Sequence, residues 1–279
     1  MAGVNCKGGR ICYANDKIMQ KVDISFLKKS VIEAGKAIMQ IKESGINTRY
    51  KEDMSPVTEA DEAAEKILIK ELNNFFPKIP VISEENKESH LRKPVDQYFL
   101  VDPLDGTKEF IKNNSKGSFT VNIGLVENNR AVAGIIYAPM LDELYLGDKN
   151  GAKMLKKNIE EKISVRKVPI AGPVALASKS HRDELTDRFL LKENIQDIKS
   201  VGSSLKFVLL ASGNADIYPR YGPTMEWDTA AGEAILVAAG GNVFFPNGEK
   251  HFYGKKNWRN ESFFACGGYL PKFDNKNLI

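Results

Sequence analysis

The segment Asp102-Pro103-Leu104-Asp105-Gly106-Thr107 sets two carboxylates three residues apart, with a carbonyl between them and a threonine hydroxyl just beyond. Pro103 stiffens the backbone, and Gly106 permits a conformation that a side chain would obstruct. Asp102 and Asp105 can therefore converge on one point, with the Leu104 carbonyl exposed between them. Glu84-Glu85 follows a separate apolar run and is delivered in the same way. Charged groups at the ends of buried strands are costly unless a cation neutralises them. The donors are all hard oxygens, which suit Mg²⁺ or Mn²⁺ rather than zinc. Two such ions about 4 Å apart, sharing Asp102, would clamp a phosphate and activate water near neutral pH. The Gly106 and Thr107 amides would open a short helix whose N-terminus cradles phosphate.

Each piece taken alone has a plain structural explanation. D-P-x-D-G-T also reads as an acidic turn before an N-capping threonine, and paired glutamates usually form a solvated face. Thr58-x-x-Asp61 matches a capping box, in which Asp61 favours the helix dipole. Asp228 opens an alanine-rich helix, where an acid stabilises without any chemistry. The functional reading rests on their combination.

The elements that must position these residues are visible as changes of period. Leu27, Val31, Ala34, Ile38 and Ile41 predict a helix over 24–43, and Ala60, Ala64, Leu68 and Leu72 a second one ending near Pro77. Val81-Ile82-Ser83 and Tyr98-Phe99-Leu100-Val101 read as buried strands running into Glu84 and Asp102. Strands over 119–126 and 131–137 are joined at Asn128-Asn129, and Leu144-Tyr145-Leu146 meets a turn at 148–151. From about Val165 strands alternate with helices: strands at 174–177, 200–201 and 215–218, helices at 184–191, 204–212 and 227–239. The expected architecture is mixed, α+β passing into α/β. Residues 21–160 form two helices on a largely antiparallel sheet that holds the metal ligands. Residues 161–279 form an α/β half contributing Asp228, and residues 1–20 a weakly structured extension.

Composition narrows the partners. A formal net charge of +4, without basic blocks, excludes a nucleic-acid polymer and suits a small anionic substrate. Cys6, Cys12 and Cys266 form no C-x-x-C pair, and His90, His181 and His251 complete no zinc pattern. With no signal peptide or membrane-spanning run read in the sequence, the expected setting is the cytoplasm, with peripheral membrane association left open. Monomer and homodimer are both compatible with the chain.

The motifs together are Asp61 after Ser55-Pro56-Val57-Thr58, Glu84-Glu85 after a strand, Asp102–Thr107, and Trp227-Asp228 before a helix. This set resembles the lithium-sensitive, magnesium-dependent phosphatase superfamily of inositol monophosphatases, fructose-1,6-bisphosphatases and bisphosphate nucleotidases. The resemblance runs from about Ile24 to Phe264. Within it, D-G-T-K-E-F at Asp105–Phe110, G-S-S-L-K-F at Gly202–Phe207 and Y-P-R-Y-G-P-T-x-x-W-D at Tyr218–Asp228 are similar to bacterial 3′(2′),5′-bisphosphate nucleotidases of the CysQ type.

That resemblance implies a layered α-β-α-β-α sugar-phosphatase fold and a metal centre. One Mg²⁺ would be held by Glu84, Asp102 and the Leu104 carbonyl, a second by Asp102, Asp105 and Asp228. A third, weaker ion would be reached by Asp61 through water, and Mn²⁺ would substitute. Asp61, Glu84 and Thr107 are the implied catalytic residues, with Asp61 and Thr107 orienting and deprotonating the attacking water and Glu85 behind the ligands. Gly106, Thr107 and Lys108 would hold phosphate. Ser203, Lys206 and Arg220 would contact the nucleotide, with His181 nearby, and Asp228 would position the water that protonates the leaving oxygen.

The implied reaction is lithium-inhibited hydrolysis of adenosine 3′,5′-bisphosphate to AMP and phosphate, in the context of sulfur metabolism. An inositol monophosphatase or broad sugar phosphatase would share the metal centre. Lys108, Lys206 and Arg220 favour the nucleotide, because inositol phosphate offers no second phosphate to grip. A non-catalytic nucleotide- or metal-sensing module is disfavoured by retention of every acid and of Thr107.

Overall fold

The computed structural model describes residues 19–51, 56–112, 118–178 and 183–273. Residues 1–18 of the expected extension, Ser55 of the motif before Asp61, and His181 lie outside the described residues.

The chain begins with a 3-10 turn, Ile24–Leu27, leading into α1 (Lys28–Ser44). A small ribbon of β1 (Thr48–Tyr50) and β2 (Pro56–Thr58) precedes α2 (Glu59–Phe75). Next come β3 (Val81–Ser83), the short α3 (Lys87–His90), β4 (Gln97–Asp105) and the one-turn α4 (Thr107–Ile111). A meander follows through β5 (Thr120–Glu127), β6 (Arg130–Ala138), β7 (Glu143–Asp148), β8 (Gly151–Lys156) and β9 (Ile159–Ile163). Strands β3 to β9 lie in chain order in one seven-stranded sheet, antiparallel except for the β3–β4 pair.

The second sheet contains β10 (Val174–Ser178) and, beyond α5 (Glu184–Lys192), β11 (Asp197–Val201). After α6 (Leu205–Ala211) come β12 (Ile217–Arg220) and the two-residue β13 (Thr224–Met225). Helix α7 (Ala230–Ala238), β14 (Asn242–Phe244), β15 (Arg259–Asn260) and β16 (Phe263–Cys266) complete the chain. Its five strands run in the order β11-β10-β12-β16-β14, while β13 pairs separately with β15.

Five layers result. Helices α1 and α2 pack on the first sheet through Val31, Ile38, Leu68 and Leu72 against Val101, Ile123 and Ile135. The opposite face, carrying Ile136 and Tyr145, meets Phe207, Ile235 and Leu236 of α6 and α7, which also cover the second sheet. Helix α5 closes the outer side, with Phe189 stacked on Phe264. Strand β6 therefore buries both faces, and its run of apolar residues follows from that position rather than from alternation. The alanine-rich face of α7 reaches the sheet over glycines: a Cβ on Gly124 would stand 2.6 Å from the Cβ of Ala230. A larger side chain there would push the helix off the sheet.

Several expectations need correction. The D-P-x-D segment is not a turn after the strand. Strand β4 continues to Asp105 with a register shift against β5 between Asp102 and Asp105. Pro103 cannot donate to a ladder, so the strand bulges there. The predicted helix over 227–239 is broken: Glu226–Asp228 form a 3-10 turn, Thr229 leaves helical geometry at φ −120°, and α7 starts at Ala230. The sequence reading also missed β8 and β9, whose connecting Lys157 and Asn158 both take positive φ as in a two-residue hairpin.

Candidate metal centre and active site

Two neighbouring strands deliver the acids. Glu84 follows β3, and its amide donates to Val101 O at 3.0 Å, so the parallel pairing continues up to the carboxylate. Asp102 lies on β4 at the start of the bulge, 1% exposed, and its Oδ1 accepts from the Leu104 amide at 3.1 Å. Asp228 arrives from the other side of the molecule on the 3-10 turn, with Met225 N–H donating to its Oδ2 at 2.8 Å. Oxygens of Glu84, Asp102 and Asp228 all come within 4.8 Å of one another. Asp105 stands beside them, its carboxylate accepting the backbone N–H of Ser204.

Such crowding is unfavourable for bare carboxylates. Burial first, then the charges of Glu84, Asp105 and Asp228, push Asp102 well above the usual carboxylate range. Burial and the charges of Asp105 and Glu84 do the same to Asp228. Burial raises Glu84 to about 7 and Asp105 to about 6. Hard oxygen donors, low exposure and mutual repulsion together fit a divalent cation such as Mg²⁺. Lys51, absent from the sequence reading, supplies one internal cation: its Nζ lies 3.1 Å from Glu84 and 2.7 Å from Glu85. Burial opposes its charge, yet the two glutamates hold its pKa above the ordinary lysine value.

Asp61 completes the expected capping box and also faces Thr107. Its Oδ2 accepts from the Thr58 amide and hydroxyl, both at 2.7 Å, which completes the capping box of α2. Its Oδ1 lies 3.2 Å from Thr107 Oγ1, which is also 3.1 Å from Leu104 O. Burial raises Asp61 to about 6, against the hydrogen bonds from Thr58. Gly106 precedes α4 at φ +95°, and a Cβ there would stand 2.7 Å from Ser118 O, so both conformation and space require glycine.

These groups open into a cavity of about 990 Å³ that also receives Lys51, Lys108, Lys206 and Arg220. Lys206 is not the solvated lysine its helix position allows. It is 5% exposed, and its Nζ donates to Ser203 O at 2.6 Å and Val201 O at 3.3 Å. Burial brings its pKa down to about 8. It thereby holds Ser203 at φ +50° on the cavity wall. Arg220 donates through Nη2 to Pro223 O at 3.0 Å, and Lys108 is exposed at the rim.

The sequence reading singled out Ser203, whereas Ser204 makes the polar contacts to the acid-bearing strands. The Ser204 hydroxyl lies 2.6 Å from Asn122 Oδ1 and 2.8 Å from Thr120 Oγ1. Thr120 and Asn122 alternate with apolar neighbours in β5, and polar side chains at two buried positions of one strand are a signal that could have found this contact. His90 was likewise missed as a cavity residue: it stacks on Trp227 at 4.7 Å, and both line the cavity. Among the described residues no helix is long and apolar enough to cross a membrane.

Comparison with known proteins places the chain in a family. The 3′(2′),5′-bisphosphate nucleotidase CysQ of Salmonella typhimurium is 45% identical over 213 residues, covering 75% of this chain and 85% of the relative. The enzyme of the same name from Buchnera aphidicola is 46% identical over 214 residues, covering 75% and 79%. The crystal structure of CysQ from Bacteroides thetaiotaomicron, a bacterial member of the inositol monophosphatase family, is 36% identical with a TM-score of 0.72, covering 86% of this chain and 95% of that one. A Thermotoga maritima IMPase shares the fold at 24% identity and a TM-score of 0.72, covering 88% and 92%. The profile of the inositol monophosphatase family matches residues 19–270, and the chain belongs to that family.

Proposed function

We propose that this chain is a magnesium-dependent phosphatase that removes the 3′-phosphate of adenosine 3′,5′-bisphosphate, giving AMP and phosphate. The observation that carries this reading is the cavity: about 990 Å³, with Glu84, Asp102, Asp105 and Asp228 in its wall together with Lys206 and Arg220. That is ample for a nucleotide and provides cationic groups for a phosphate that does not react. The similarity to enzymes named 3′(2′),5′-bisphosphate nucleotidase supports the same substrate.

Glu84, Asp102 and the Leu104 carbonyl would hold one Mg²⁺, and Asp102, Asp105 and Asp228 a second; Asp61 would reach a third through water, and Mn²⁺ would substitute. When bound, the cation supplies charge neutralisation of the phosphate oxygens and acidification of water. The remaining work falls to the protein. Thr107 Oγ1 and Asp61 Oδ1, 3.2 Å apart, orient the attacking water, and the carboxylate takes its proton. Burial raises Asp61 above the ordinary carboxylate range, which makes it the stronger base. The water oxygen joins phosphorus in line as the bond to the 3′-oxygen breaks, and water held beside Asp228 returns a proton to that oxygen. The amides of Gly106 and Thr107 cradle the phosphate, with Lys108 at the rim.

Phosphate release from adenosine 3′,5′-bisphosphate, with and without Mg²⁺ and then with Li⁺, tests the proposal. Magnesium-dependent, lithium-suppressed AMP formation is expected. Faster turnover of inositol 1-phosphate would overturn the substrate assignment and leave the metal centre standing.

A further inference from the structure

The residues that fasten the turn bearing Asp228 make a contact pattern that neither the motifs nor the reaction above accounts for. Asp228 comes to within 4.8 Å of Glu84 and Asp102 from a distant part of the chain, so its place depends on what holds its turn. Helix α7 cannot hold Asp228 by itself, because Thr229 breaks the helix between them. The turn is instead gripped from a segment about thirty residues downstream.

Glu226, 0% exposed, is the first residue of the turn. Its Oε2 accepts the Gly254 amide at 2.9 Å, and its Oε1 accepts both the Lys255 amide and the Lys255 ammonium at 2.9 Å. Asn260, 4% exposed, grips the flanks. Its Nδ2 donates toward Met225 O at 2.7 Å and toward Thr224 Oγ1 and Thr229 Oγ1 at 3.1 Å. Thr224 and Met225 are further paired with Asn260 and Arg259 as β13 and β15. Met225 is also the residue whose amide donates to Asp228. Residues on both sides of the ligand, Thr224 to Glu226 before it and Thr229 after it, are thus tied down through one of two buried side chains.

We infer that Glu226 and Asn260 are positioning residues that hold Asp228 beside Glu84 and Asp102, so that the metal site is formed before the cation arrives. This rests on the metal-centre reading given above. A buried ion pair such as Glu226–Lys255 is a weak source of stability, since a well-packed apolar pair does as well. Fixing the direction of a ligand is a use that an apolar pair could not replace. Groups that orient metal ligands in this manner are worth about 10–100-fold in metal affinity.

The test is calorimetric titration of Mg²⁺ into the metal-free full chain, which needs no substrate. Glu226→Gln keeps the shape and replaces one acceptor by an amide that faces donors. Asn260→Ala is an independent variant that reads the same quantity where Glu226→Gln fails to fold. Asp216→Asn is the control: Asp216 is equally buried, accepts Arg166 at 3.0 and 2.7 Å and the Val174 amide at 2.7 Å, and does not line the cavity. The expected result is Mg²⁺ affinity weakened at least tenfold in the Glu226 and Asn260 variants and unchanged in Asp216→Asn, although all three lower the melting temperature. Parental affinity in both variants, or equal weakening in Asp216→Asn, overturns the inference. A parent protein that binds Mg²⁺ but releases no phosphate from the nucleotide would sink the substrate proposal alone.

Discussion

Asp61 shows how one carboxylate can serve two neighbours at once. One oxygen completes the cap of α2 while the other faces Thr107. Replacing it by asparagine should cost less than about 1 kcal/mol of stability, because the amide oxygen can still accept the Thr58 amide. Turnover should fall about 10²–10⁴-fold, the usual worth of a general base. Parallel thermal melts and rate measurements on Asp61→Asn check the pair of outcomes; a rate within a few-fold of the parent would remove Asp61 from the reaction. Asp102 gives the opposite combination. Its folded pKa lies far above the value of a free carboxyl, so ionising it costs stability in the metal-free protein. Asp102→Asn should melt higher than the parent without Mg²⁺ and be inactive with it. The same sign governs pH. Acids raised on folding, Glu84 to about 7 and Asp105 to about 6 among them, leave the metal-free fold most stable in acid. That stability is lost as pH rises from about 4 through those values. The increase in melting temperature on adding Mg²⁺ should therefore be larger at pH 8 than at pH 5, and an equal or reversed difference would contradict the assignment of these acids as its ligands.

At the scale of elements, what could be read in the sequence follows a simple division. Strands that end in acids were legible, because β3 and β4 are apolar runs of strand length with a charge at the boundary. Helices α1 and α2 were legible from their period, and the β5–β6 hairpin from Asn128 and Asn129, both with positive φ. The breaks were not. The bulge that Pro103 forces shows itself only against the pairing with β5, and the interruption at Thr229 only beside the remote Gly254–Asn260 segment. Strand β9, mostly exposed, shows no apolar alternation to betray it. The same remoteness explains the missed site residues, since Ser204 and Lys51 acquire meaning only beside Asp105 and Glu84. The glycines beneath α7 carry a prediction of their own. Gly124→Val should destabilise the fold by about 1–3 kcal/mol in chemical denaturation, as overpacking does. It should also weaken Mg²⁺ binding, because lifting α7 displaces the turn before it.

For the whole molecule, the balance of charge in the cavity matters more than the net charge of +4. Among the described residues, six carboxylates, Glu84, Asp102, Asp105, Glu109, Asp183 and Asp228, share its lining with five cationic side chains, Lys51, Lys87, Lys108, Lys206 and Arg220. Divalent cations held by the acids would add the positive charge that draws the phosphates of an anionic nucleotide. Its affinity, measured by calorimetry with the slowly reacting Asp61→Asn protein, should rise at least about tenfold when Mg²⁺ is present. Equal affinity without the cation would show that the basic residues suffice alone. The layered fold also places the acids at very different times of synthesis. A chain leaving the ribosome exposes Glu84 and Asp102 first, while Asp228 and the segment that grips it emerge much later in synthesis. The nascent protein therefore carries its acids in separate pieces, and the ability to capture magnesium appears late and all at once.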